Sequence, residues 1–157
     1  MVNKPLTRQL RKTAFISLAT VFIAGFFVTI LHEASHGLIC NLEGNHFEYT
    51  IGLTGGIGQC FGDVKNVPAF LMAGGGIATS FSLMVAMFVI RYNLGLFIGF
   101  TTLAIGQFAN MILEAGFYSF NMESGGLIAI QMIVLATWMI LITYYVRREA
   151  NKVKLTA

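Results

Sequence analysis

The chain has 157 residues, 56% of them hydrophobic and only 11% charged, with a formal net charge of +3. A soluble globular domain is about a quarter charged, so this composition, with a mean hydropathy of +0.74, excludes most soluble folds and indicates a single bilayer-embedded domain. A pI near 9.0 raises the question of a nucleic-acid partner, but the basic residues flank apolar runs and report membrane topology instead, so no nucleic acid is implied.

In chain order, residues 1–12 form a basic tail carrying Lys4, Arg8, Arg11 and Lys12. Thr13 to Leu31 is then free of Asp, Glu, Lys and Arg for 19 residues, long enough as a helix to cross about 30 Å of hydrocarbon. The run is too long for a secretory signal and no small-residue cleavage pattern follows, so it reads as an uncleaved span over about 13–39. Its end carries His32-Glu33-Ala34-Ser35-His36. On a helix, positions i and i+4 share a face, so both imidazoles can reach one metal ion while Glu33 approaches a water on that metal. Zinc with three protein ligands keeps an open position, acidifies its water and polarises a carbonyl, and a nearby carboxylate carries the proton. The bland reading is a pair of interfacial histidines paired with loop carboxylates.

The following loop does not read as membrane helix. From His46, Phe47, Tyr49, Ile51 and Leu53 alternate with Glu48, Thr50 and Gly52, and Thr54-Gly55-Gly56 supplies a turn before Ile57 to Phe61. This predicts a small external β-hairpin over about 46–61, serving as a cap on the helices or as a strand edge for an extended peptide. Cys40 and Cys60 fall on the same side, where a disulfide or two buried thiols are both open readings, and zinc ligation by Cys40 a weaker one.

Three more uncharged runs follow: Asn66 to Ile90 (25 residues), Tyr92 to Leu113 (22) and Ser124 to Val146 (23). They predict spans over about 67–90, 92–118 and 125–146, hence an all-α integral membrane protein with one four-helix domain over 13–147 and a tail over 148–157. Gly74-Gly75-Gly76 in the second span allows close helix contact or room for a substrate. In the third, Gln107, Asn110 and Glu114 lie at i, i+3 and i+7, one polar stripe on an otherwise apolar helix. Nine of the ten basic residues fall on one face, with Lys65 alone opposite. The positive-inside rule makes both termini cytoplasmic and puts the His pair near the outer face, in a membrane that is expected to be the plasma membrane.

Two histidines do not complete a zinc site. Glu43, Glu48, Asp63 and Glu123 fall in outer loops and Glu149 in the inner tail, where water solvates them, whereas Glu33 and Glu114 adjoin apolar runs, where an ionisable group is costly. Helix rise places Glu114 at the level of His32, so it is the expected third ligand. Glu123 in Glu123-Ser124-Gly125-Gly126 is the alternative and His46 a more remote one. Gln107, Asn110, Gly74 and Gly75 are candidates for substrate binding or for stabilising an oxyanion.

With these motifs in place, the chain resembles the site-2 protease family of intramembrane zinc metalloproteases. The resemblance is carried by His32 to His36 followed by Gly37, by Ala73-Gly74-Gly75-Gly76 early in the next span, and by Asn110 with a downstream acid, and covers roughly Phe15 to Met132. The acid departs from the family pattern, being Glu where the family has Asp, and the family's proline is absent. The resemblance implies hydrolysis of peptide bonds in membrane-associated polypeptides, with one Zn2+ ion on His32, His36 and an acid, Glu33 as base, and a hairpin that presents the substrate strand. The alternative is a catalytically inactive, protease-like subunit that binds partner helices.

Overall fold

The computed structural model describes residues 4–52, 55–116 and 124–155. Helix α1 (Lys4–Leu42) leads into strands β1 (His46–Ile51) and β2 (Gly56–Phe61), then helices α2 (Val67–Val89), α3 (Leu94–Gly116) and α4 (Ser124–Leu155). Each helix contains a stretch long and apolar enough to cross a membrane. The protein is therefore an integral membrane protein, with four helices among the described residues and a two-stranded antiparallel sheet between the first two.

The distribution of side chains is that of a protein solvated by lipid. Phe15, Phe22, Met87 and Phe88 point outward, while Ser17, Thr20, His32, Glu33, His36, Ser82 and Thr102 are buried. Such an inversion costs nothing in hydrocarbon, where apolar side chains gain little from burial and polar groups must find partners inside. Many hydroxyls do so locally: Thr20, Thr29, Ser35 and Ser80 each donate to the carbonyl four residues earlier. Among the described residues, a small buried apolar cluster of Val28, Ala78 and Leu103 joins α1, α2 and α3.

Small residues set how closely the helices approach. A Cβ on Gly75 would stand 2.8 Å from the Gln107 carbonyl oxygen and 2.9 Å from Met111 Cα, so α2 and α3 touch backbone to backbone. Gly95 and Gly99, four apart on α3, receive α1 in the same way, facing the carbonyl oxygens of Thr13 and Ser17 at 2.9 and 3.0 Å. α4 lies outside, on α3 and α1, with Val134 against Gly106 and the Trp138 indole donating to Ser17 Oγ at 2.8 Å.

These contacts put the start of α1, the α2–α3 connection and the end of α4 at one end of the bundle, and the hairpin at the other. The helices also run further than the sequence indicates. α1 begins at Lys4 and α4 continues to Leu155, because Lys and Arg are good helix formers and a helix leaving the bilayer keeps its own backbone bonds. Conversely, α3 starts at Leu94 instead of residue 92, since the Asn93 side chain accepts from Leu96 N and caps the helix there.

The hairpin does not project outward from the helix end. Its strands pair His46 with Phe61 and Ile51 with Gly56, and it folds back along α1, with Phe47 on Gly37 and Gly56 and Gly58 on Glu33. A disulfide joins Cys40 to Cys60, their Cα atoms 5.9 Å apart. Beside it, the Glu43 carboxylate accepts from the backbone N–H of Lys65 (2.7 Å) and of Asn66 (3.0 Å), and Asn66 in turn caps α2 by accepting from Ala69 N.

Candidate metal centre

His32 and His36 lie one turn apart on α1, and their Nε2 atoms are 3.1 Å from each other. Glu114, in the last turn of α3, brings Oε1 to 3.0 Å from His32 Nε2 and Oε2 to 3.5 Å from His36 Nε2. One ligand atom from each of the three residues falls within 4.8 Å of the others. Donor atoms bonded at about 2.0–2.1 Å to a tetrahedral zinc ion stand about 3.3 Å apart, close to the separations seen.

The hydrogen bonds behind this cluster decide which atoms face its centre. His36 Nδ1 donates to the Phe70 carbonyl oxygen at 2.7 Å, and His32 Nδ1 donates to Gln107 Oε1 at 2.8 Å. With the ring protons committed there, both Nε2 atoms present lone pairs toward each other and toward a carboxylate. Glu114 Oε2 is buried and has no hydrogen-bond partner among the described residues. Three electron-pair donors converging in a buried space repel one another unless a proton or a metal cation lies between them, and the residues present could hold a divalent metal of the N/O type.

Each residue of the polar stripe on α3 has a different position. Gln107 is behind His32, on the side away from the cluster, where it fixes the tautomer and the ring plane. Asn110 Nδ2 donates to Glu114 Oε1 at 2.9 Å and also approaches His32 Nε2 at 3.3 Å, so it borders the centre itself. Of the glycines, Gly75 serves the α2–α3 contact, whereas a Cβ on Gly74 would press on the Nε2 atoms of both histidines. Gly74 therefore keeps open the space next to the donors.

Glu33 faces a different neighbour. It is 6% exposed, and β2 lies over its carboxylate at Gly56 and Gly58, where any side chain would collide with it. His46 is not brought to the centre; it sits at the start of β1, exposed, with Nε2 3.2 Å from Glu48 Oε1. Cys40 is disulfide-bonded and is no ligand. Glu123 lies outside the described residues. Sequence reasoning missed the Phe70 carbonyl, and a backbone acceptor leaves no signal in a side-chain pattern.

Comparison of the chain with family models, with curated proteins and with solved structures finds no match. The arrangement of these residues is thus the whole basis for a functional reading.

Proposed function

We propose that the protein is a zinc metalloprotease of the membrane interior, related in mechanism to the site-2 proteases and acting on membrane-associated polypeptides. The observation that carries this reading is the convergence of two lone-pair imidazoles and a carboxylate oxygen without a hydrogen-bond partner among the described residues, next to a buried glutamate one residue along from the first histidine. His32, His36 and Glu114 would hold the ion. Zinc, when bound, supplies Lewis acidity toward a peptide carbonyl and toward water. Glu33 then accepts the proton of the attacking water and returns it to the departing amide nitrogen. Asn110 presents an amide N–H at the edge of the centre, where it can stabilise the negative charge that develops on the carbonyl oxygen. Gly74 leaves room for the scissile segment.

The orientation belongs to the same proposal. Nine of ten basic residues lie toward the end of the bundle opposite the hairpin, which makes both termini cytoplasmic and the metal centre outward-facing in the plasma membrane. A Cys40–Cys60 disulfide at the hairpin end accords with an oxidising exterior.

Purified protein reconstituted with a membrane-anchored peptide library tests the reaction. Wild type loaded with zinc should cleave, and Glu33→Gln should lose at least about a hundredfold in rate while retaining the metal. Cleavage by that variant at the wild-type rate would refute a protease. Retention of zinc with no cleavage by either form would point to the binding subunit.

A further inference from the structure

Phe47, on β1, lies in a slot that two glycines leave open. A Cβ on Gly37 of α1 would stand 2.7 Å from Phe47 Cδ1, and one on Gly58 of β2 would collide with Cζ from the other side. Gly37 directly follows His36, so the ring is wedged one position from a proposed ligand. Strand register keeps it there: Phe47 is paired with Cys60 across the sheet, and Cys60 is bonded to Cys40, about one turn of α1 beyond His36. From this slot the ring meets Phe70 on α2, centroids 6.4 Å apart and planes at 71°. The Phe70 ring in turn packs on the His36 imidazole, centroids 5.0 Å apart, while the carbonyl of the same residue accepts from His36 Nδ1 at 2.7 Å. Phe70 therefore touches His36 twice, once by its ring and once by its backbone. It also stands in the first turn of α2, and helix ends fray more readily than middles.

We infer that Phe47 is a positioning residue for His36, its ring holding Phe70 against the imidazole so that the Phe70 carbonyl stays on Nδ1 and Nε2 stays turned toward the other donors. The role rests on the reading of His36 as a metal ligand. It gives the hairpin a task as a fixed brace: the strands hold one aromatic edge against α2 at the level of the second histidine, and the disulfide keeps β2 beside that edge. His32 has no such brace, because its Nδ1 is held by Gln107 from α3. The two ligands of α1 are thus oriented independently, one from α3 and the other from α2 with the hairpin behind it, and disturbing Phe47 must affect His36 alone.

Proton resonances of the histidine rings test this in the full chain, zinc-free and with the disulfide intact. The Nδ1–H of His36 on the Phe70 carbonyl and that of His32 on Gln107 are separate hydrogen-bonded protons, and their exchange with water reads each support by itself. Phe47→Ala is expected to speed exchange of the His36 proton about tenfold or more and to leave the His32 proton as in wild type. Phe47→Leu, which stays apolar but has no ring edge to set against Phe70, should move the His36 proton in the same direction by a smaller factor. Tyr49→Ala removes an exposed ring stacked on Phe47 and should change neither. Zinc affinity of Phe47→Ala should fall about tenfold, the lower end of what loss of a ligand's orienting partner costs. Wild-type protection of the His36 proton in both Phe47 variants overturns the role, and so does an equal loss of protection at both histidines in Phe47→Leu, which would make Phe47 a support of the bundle as a whole. A His36-specific effect in a chain that binds no zinc would remove the metal reading and leave the positioning. Zinc binding and exchange both unchanged by Phe47→Ala would do the reverse.

Discussion

At the scale of single residues, the centre is organised by groups that do not touch its middle. Gln107 orients His32 and the Phe70 carbonyl orients His36, a support that typically accounts for 10–100-fold in metal affinity. Gln107→Ala is therefore expected to weaken zinc binding by about that factor, measured by competition with a chromogenic chelator, while Gln107→Glu, which keeps an acceptor oxygen, restores most of it. Gly74→Val should abolish binding altogether, since its side chain fills the space against both Nε2 atoms; a variant that binds zinc as wild type does would show that the ion lies elsewhere. The sequence displayed His32, Glu33, His36 and Glu114 because charge and imidazole are rare in apolar helices. It displayed Gln107 and Asn110 as one stripe but could not separate their roles. Both are on the α3 face toward α1, and only the distances show one behind a ligand and the other beside it.

At the scale of elements, glycine spacing does most of the positioning. α3 meets α1 at Gly95 and Gly99 and meets α2 at Gly75, so one helix is pulled against two others without large side chains between them. Gly75→Leu has backbone atoms on the far side of the contact and must separate α2 from α3. We expect a loss of about 1–3 kcal/mol in detergent denaturation, with zinc affinity falling as well, because Gln107 and His36's partner Phe70 are on the two helices being parted. The Cys40–Cys60 bridge, closing a segment of 20 residues, should contribute about 3 kcal/mol, seen as a lowered melting temperature of Cys40→Ser/Cys60→Ser. Helix positions followed from the uncharged runs and the hairpin from its period-two alternation. The direction of the hairpin did not. Alternation is the same whether a hairpin points into solvent or back along a helix, and only Gly56 and Gly58, empty on the face toward Glu33, marked it as lying against something.

For the whole molecule, the inverted distribution of polar and apolar residues fixes the environment, and the basic residues propose the orientation within it. A reporter fused to the C-terminus should be accessible only after cells are permeabilised, whereas a protease-cleavable tag inserted in the hairpin loop should be cut from outside intact cells; the reverse pattern would turn the molecule over. The number and order of spans were legible because each run exceeds the bilayer thickness. Their mutual arrangement was not, since lipid-facing and buried positions in a membrane bundle share the same apolar chemistry. The division of the ligands along the chain sets a timetable for biosynthesis. His32 and Glu114 are separated by 82 positions, so the paired histidines enter the bilayer with the first helix long before their acid is made. On the proposed reading, metal would be retained only after the third helix has been inserted parallel to the first, and until then the newly made protein would hold an exposed imidazole pair open to other divalent transition-metal cations. If the proposed centre holds zinc, its correct metallation would depend on the order in which the helices leave the insertion machinery as much as on the affinity of the finished centre.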